Sequence, residues 1–317
     1  MSSAATKFRC IGRGFCGSVW ALETSGSAIK REDGGPGRSL TNDYNMHLKV
    51  QCGALTYQQP STPFSVPQCH QLIEAADPWW ETRLPQFPAG YSACRALVSE
   101  RIPKVPRAIS DKIVDLFCEG NTRLCDFVKN NPDDSSCLIR PYLGRRRRHK
   151  QGASNSRFQR FSLRNVPLHV DQMEALGLDT KAYAETMADA LALMYWVAKI
   201  DANDVEFVLA PPREEQSSEK PVFQSNYLGR HSMWILDFDC CRTMSTDEAG
   251  VEQACGAFFR NDPFYPRPGS KEEADQQLWK VFKERFIQAS RGMLKIESED
   301  KSFLADILIS KIEEWKA

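Results

Sequence analysis

Apolar and polar positions divide the chain into a strand-like beginning, a proline-rich stretch with little period, and a second half dominated by helical spacing. Residues 8–32, "FRCIGRGFCGSVWALETSGSAIKRE", predict strands joined by a tight glycine turn, and "GGPG" at 34–37 breaks the chain. Tyr44, Leu48 and Cys52 form an approximate apolar stripe that predicts a helix over 41–55. Residues 56–105 carry few clear periods. Short helices are expected over 111–119 and 123–130, and a short apolar strand over 137–144.

Positions 167–179 read as a helix and turn. The strongest helical pattern covers 180–199, where Ala184, Met187, Leu191, Met194, Tyr195 and Ala198 share a face and alanine favours the conformation. Residues 205–210 predict a strand, 211–221 a polar loop, and 232–241 a buried strand. Two more helices follow. One covers about 271–290, with Leu278, Val281, Phe282 and Phe286 inward; the other covers about 302–316, with Leu304, Leu308, Ile312 and Trp315 on one face. No internal repeat is present. The expected organisation is α+β: a β-rich lobe over 1–140, a connecting segment over 141–164, and a mainly helical lobe over 165–317.

Composition adds bounds. At 317 residues and 42% hydrophobic, the chain has enough apolar material for a proper core. No apolar run approaches the roughly 18 residues of a spanning helix, so no membrane partner is expected. The start "MSSAATKFRC" lacks a charged end followed by an apolar stretch, which points to a cytoplasmic protein. Eleven scattered cysteines, with no C-x-x-C, read as reduced thiols, and no metal is expected.

The zero net charge hides an asymmetry. Nine Arg and Lys and no acid lie between Ser135 and Val170, leaving 32 basic and 41 acidic residues elsewhere. Within this stretch Arg145, Arg146, Arg147, Arg148, Lys150, Arg157, Arg160 and Arg164 are candidate contacts for an RNA backbone, with Phe158 and Phe161 available for base stacking. For "RRRRHK" alone, a nuclear-localisation run or a solvated loop competes with that reading.

A kinase-like set of motifs accompanies this charge. "GRGFCGSV" is G-x-G-x-x-G-x-V from Gly12 to Val19, and "AIK" ends at Lys30. The glycine motif alone could be an ordinary hairpin turn. A long helix then runs into "KIDANDVEFVL", with Asp201 at a catalytic-base position, and "ILDFD" puts Asp237 at a metal-binding one. Four elements in this order predict a kinase-like two-lobed fold. The departures are Glu206 where a metal-binding Asn is expected and Asp239 in place of a glycine; Asp43 is the nearest partner for Lys30. An ATP-dependent small-molecule phosphotransferase and a non-catalytic pseudokinase-like binding protein therefore stand as alternatives.

Asp201, Asp204, Glu206, Asp237 and Asp239 together predict an acidic cleft. Crowded carboxylates raise one another's pKa and supply a base, and they hold a guanidinium well. Helix capping and surface solvation are the plain alternatives for the same residues.

The blocks "SLRNVPLHVDQMEALGLD", "MADALALMYWVAKIDANDVEFVLAPP", "WILDFDCCRTMS" and "DEAGVEQACGAFFRNDPFYPRP" resemble a fungal domain-of-unknown-function family, often labelled "zinc finger protein", over about residues 137–295. That family includes arginine-containing cyclodipeptide synthases of secondary metabolism. The resemblance implies an aminoacyltransferase that joins arginine from arginyl-tRNA to a second aminoacyl group as a diketopiperazine. The aminoacyl-tRNAs would be activated co-substrates, with no further cofactor and no obligate protein partner. On this expectation Asp201, Asp204, Glu206 and Asp237 are catalytic. Asp239, Lys30, Gly12, Gly14 and Gly17 bind substrate, with Lys30 or backbone N–H groups facing the oxyanion.

Overall fold

Two β-sheets and a set of long helices organise the chain, and the computed structural model describes residues 7–57, 64–118, 121–147, 161–213, 221–295 and 300–315. In chain order the first part comprises β1 (Arg9–Arg13), β2 (Ser18–Ala21), β3 (Ser27–Arg31), α1 (Leu40–Thr56), β4 (Phe64–Ser65), β5 (Cys69–Ile73), α2 (Trp79–Arg83) and β6 (Ala96–Glu100). Next come α3 (Arg107–Phe117), α4 (Thr122–Asn130), β7 (Ile139–Tyr142), β8 (Val166–His169), α5 (Val170–Ala175), α6 (Thr180–Ala192) and β9 (Glu206–Ala210). The chain closes with β10 (Phe223–Ser225), β11 (Gly229–Leu236), α7 (Glu248–Arg260), α8 (Glu273–Leu294) and α9 (Phe303–Glu314).

The first sheet is antiparallel in the order β1-β2-β3-β6-β5, with α1 inserted between β3 and the later strands. The second runs β10-β11-β9-β7-β8, and the two residues of β4 pair in parallel with β11. β7 and β8 are also parallel.

Residues 56–105, where few periods are readable in the sequence, contain β4, β5, α2 and β6. The apolar positions Ala96, Leu97 and Val98 of β6 are all buried, so the strand has no polar alternation to reveal it. In the mainly helical second half, the expected strands at 205–210 and 232–241 are β9 and most of β11, and with β7, β8 and β10 they form the second sheet; residue 140 lies inside β7. α7 was also not anticipated; Asp247 caps it, accepting the Gly250 N–H at 3.0 Å.

The main core is shared between the two parts. Met46 and Val50 of α1 join α6, α8, α9 and the second sheet in one apolar cluster. Asp179 caps α6, accepting from Ala182 N–H at 3.0 Å. The helix then widens into a π-helical turn, Leu193–Val197, whose first four residues are buried. Trp196 Nε1 donates to Ser290 Oγ of α8 at 2.8 Å, fixing the turn that leads into the loop at 199–205. No helix among the described residues is long and apolar enough to cross a membrane.

Candidate functional site

Strand alternation aims Lys30 away from its neighbours Ile29 and Arg31, toward α1 and the end of β11. Its Nζ lies 2.6 Å from Asp43 Oδ2, 2.7 Å from Asp237 Oδ1 and 3.9 Å from Asp239 Oδ2. Asp43 sits in the first turn of α1, and its other oxygen accepts from Phe238 N–H at 3.2 Å. Burial acts to lower the Lys30 pKa, but the three carboxylates outweigh it and hold the group well above its ordinary value. Lys30 is therefore a fixed ammonium. With its charge committed to these carboxylates, it orients Asp237 rather than facing a substrate oxyanion. Asp237 has a left-handed backbone, φ 65°, which only a well-braced turn tolerates in a non-glycine residue.

The loop before β9 has the same character. Lys199, Ala202 and Asp204 are left-handed, with φ of 55°, 50° and 63°. Asp201 braces the loop. It is fully buried; Oδ1 accepts from Asn203 N–H at 3.2 Å and Arg242 N–H at 2.9 Å, while Oδ2 accepts from Arg242 Nε at 3.0 Å and Gln253 Nε2 at 2.9 Å. These donors engage both oxygens of Asp201, the residue expected at a catalytic-base position, and with them it braces the loop. From the end of α7, Asn261 accepts the Asp204 N–H at 2.6 Å and donates to Ala202 O at 2.9 Å.

Glu206, the first residue of β9, faces Arg140 of β7, and the two side chains are joined by a hydrogen bond and ion pair. Arg140 also approaches Asp262 at 3.6 Å, and the Tyr142 hydroxyl donates to Asp262 at 2.6 Å. Burial pushes the Glu206 carboxyl up; Arg140 opposes this, Asp237 and Asp204 add to it, and the pKa settles at about 7. A carboxylate poised there is half ionised at neutral pH and can take up or release a proton. The loop after α7 is packed beneath this group, with Phe264 and Tyr265 buried.

Arg38, which the sequence reading did not single out, closes the other side. Its guanidinium donates to Asp239 Oδ1 at 2.7 Å and Asp204 Oδ2 at 3.3 Å, contacts Cys240 Sγ, and lies 5.4 Å from the centre of the Phe15 ring. Asp239 is raised from its ordinary value by burial and by Asp237, against the pull of Lys30 and Arg38. Burial and Asp239 push the Cys240 thiol up to about 12, so it is protonated at neutral pH and is no nucleophile.

The glycine loop folds back on the segment after β3. Gly12 lies within β1, opposite Val19. The Gly14 N–H donates to Gly17 O at 2.9 Å, and the Asp33 carboxylate accepts the Ser18 N–H at 2.8 Å. A Cβ on Gly17, at φ 154°, would stand 1.9 Å from Arg31 O. Of the loop expected to cradle a substrate through Gly12, Gly14 and Gly17, the N–H groups of Gly14 and Ser18 are held by internal acceptors.

Of the basic segment, Arg145 to Arg147 and Arg164 are described; Arg148, Lys150, Arg157 and Arg160 lie outside the described residues. Arg146 is bidentate to Glu174, at 2.6 and 2.7 Å, and bonds Asp275 at 2.7 Å. Arg147 pairs with Asp171 at 2.9 Å and Arg164 with Asp133 at 3.2 Å. An RNA phosphate would compete with these acids. The backbone carbonyl of Arg145 accepts from Val170 N–H at 3.2 Å.

A family model for a domain of unknown function, DUF3669, described as a zinc finger protein, matches residues 233–298. That segment spans the second half of β11, the Asp237–Asp239 turn, α7 and α8. No curated protein matches the chain. The residues do not fit the zinc of that description. Among the described residues, the group of potential ligands that comes together is Asp204, Asp239 and Cys240, and the Arg38 guanidinium already lies on it. Four Cys or His at tetrahedral spacing do not gather there.

Proposed function

We propose that this chain is a tRNA-dependent arginine-containing cyclodipeptide synthase, working in the cytoplasm on a kinase-like two-lobed scaffold. The observation that carries the reading is Glu206, a base with a pKa of about 7 in a cleft whose adjacent acids already grip a guanidinium. Asp204 is 55% exposed at its side chain, and it offers a carboxylate to an incoming arginine of the kind that Arg38 uses from within. The order of the first sheet, the Lys30–Asp43 pair and the left-handed Asp237 support the scaffold.

The chemistry needs no ATP, because an aminoacyl ester is already activated. Glu206 accepts a proton from the α-amine of one aminoacyl group, whose nitrogen attacks the ester carbonyl of the other. A C–N bond forms, the ester C–O bond breaks, and the ribose oxygen of the departing tRNA takes the proton back from Glu206. The free amine of the resulting dipeptidyl ester repeats the attack, closes the six-membered ring and frees the second tRNA.

The basic segment leaves β7 five residues after Arg140. Arg145 therefore lies within about 18 Å of Arg140, whose side chain is bonded to Glu206, which favours delivery of an acceptor end toward the cleft. Of the alternatives, phosphotransfer draws support from Lys30 and Asp237. Two features oppose it: Asp33 occupies the Ser18 N–H of the glycine loop, and Arg140 is bound to the acid that replaces a metal-binding Asn.

Expression in a host with ordinary tRNA pools, followed by mass spectrometry, tests the reading. A cyclic arginine dipeptide is expected from the wild type and not from Glu206→Gln. Soluble wild-type protein with no such product overturns the proposal, and magnesium-dependent ATP binding by calorimetry would favour the phosphotransferase instead.

A further inference from the structure

The segment between β3 and α1 is tied at both ends and loose in the middle. Gly34 and Gly35 donate their N–H groups to Cys16 O and Phe15 O, at 3.1 and 2.8 Å, and Leu40 N–H donates to Glu32 Oε2 at 2.8 Å. Between these points the N–H groups of Gly37, Arg38 and Ser39 have no acceptor among the described residues. Gly37 is left-handed, φ 86°, a conformation that glycine adopts without strain. Arg38 is therefore held where it is by its side chain.

That side chain crosses the mouth of the cleft. Nη1 donates to Asp239 Oδ1 at 2.7 Å, and both Nη1 and Nη2 reach Asp204 Oδ2 at 3.3 Å. The Phe15 ring, itself 61% exposed, lies 5.4 Å from the guanidinium carbon. Asp204 keeps 55% of its side chain exposed, whereas Asp239 keeps 5%. Two carboxylates and an aromatic ring around one planar cation are features that recognise a guanidinium. Here the chain supplies that cation itself.

We propose that Arg38 occupies the arginine subsite of the cleft in the free protein and gives it up to the guanidinium of an arginyl substrate. The inference rests on the reading of the cleft given above and adds a gate to it. The exchange is like for like: Asp239 loses one charge-assisted hydrogen bond and gains another. A ligand without a cation cannot drive it, because Asp239 would be left with only Lys30, 3.9 Å away, to balance its charge. An ammonium supplies the charge but not the planar fork that reaches both acids. Arg38 thus makes the cleft selective for arginine as well as closing it.

The test is calorimetric titration of the full chain with L-argininamide and, as the control, L-norleucinamide, which shares the α-amine and lacks the guanidinium. Arg38→Ala is expected to bind argininamide about tenfold or more tightly than the wild type, because the ligand no longer displaces charge-assisted hydrogen bonds. Norleucinamide should bind weakly and equally to both. Millimolar guanidinium chloride should raise the thermal midpoint of Arg38→Ala, relative to sodium chloride, and leave the wild type unmoved. Should Arg38→Ala fail to fold, Arg38→Lys replaces it, with a smaller gain in argininamide affinity expected from the weaker hold of an ammonium. Unchanged or weaker argininamide binding in the folded variant, binding by neither protein, an equal gain for norleucinamide, or no guanidinium effect on Arg38→Ala overturns the proposal. Formation of the cyclic arginine dipeptide separates the two claims. Product from the wild type with no gain in Arg38→Ala leaves the synthase and removes the gate; a gain without product leaves the gate and removes the synthase.

Discussion

The Lys30 ammonium lies 2.7 Å from an oxygen of Asp237, a residue 207 positions further along the chain, and 2.6 Å from Asp43 on the helix between them. One cation thereby ties the first sheet, α1 and the end of β11 together. Asp43 is nearly buried, so removing the cation strands its charge. Lys30→Met is expected to destabilise the protein by about 3 kcal/mol, read from the midpoint of urea unfolding.

The raised pKa of Glu206 fixes a pH dependence. As the base it must be ionised, so product formation should rise with pH through about 7 and level off above. Glu206→Gln should remove that limb and lower the rate by a factor of about 100 or more, read as product formed over time across pH 5.5–8.5.

Stability should move the other way. Folding lifts Glu206 from its ordinary 4.5 to about 7, so between those values the folded state binds more protons than the unfolded one. The contribution of this residue to stability therefore falls as pH rises from about 4.5 to 7. Denaturation midpoints across that window should fall less steeply in Glu206→Gln than in the wild type.

Arg140 opposes the rise in the Glu206 pKa. Arg140→Leu should move the midpoint of the pH–rate curve upward, leaving less base at pH 7. An unmoved midpoint would mean that the pair does not tune the acid.

Asp201 gives a contrasting expectation. Asp201→Ala leaves Gln253, Arg242 and two loop N–H groups without their acceptor, so a loss of about 3 kcal/mol in stability is expected, with a lower thermal midpoint. Intact stability accompanied by lost activity would return Asp201 to a chemical role.

The RNA reading makes a salt-dependent statement. Replacing Arg148, Lys150, Arg157 and Arg160 by Ala should reduce the slope of log affinity for arginyl-tRNA against log salt by about 3. Filter binding at several chloride concentrations measures it.

Short-range chemistry was legible in the sequence. The glycine turn, Lys30 on its strand, Asp43 on the next helix and the Asp237–Asp239 turn could all be read from local spacing. Arg140 and Arg38 could not, because their partners stand 66 and 201 positions away and only the folded chain brings them together. For Asp201 the motif gives its place in the chain and not the direction of its side chain, which Arg242 and Gln253 determine. β6 escaped because a strand buried on both faces does not alternate, and β5 because it is an edge strand whose register with β6 shifts between Cys69 and Gln71.

The pairing of β4 with β11 bears on how α1 behaves. At its start, Asn42 Nδ2 donates to the carbonyls of Asp239 and Cys241, at 2.8 and 2.9 Å. Beyond its end, β4 is stitched to the strand that delivers Asp237. The start of the helix and the strand that follows it in sequence thus both engage β11 or the turn after it, so displacing Asp43 from Lys30 would break the two Asn42 hydrogen bonds as well as the ion pair.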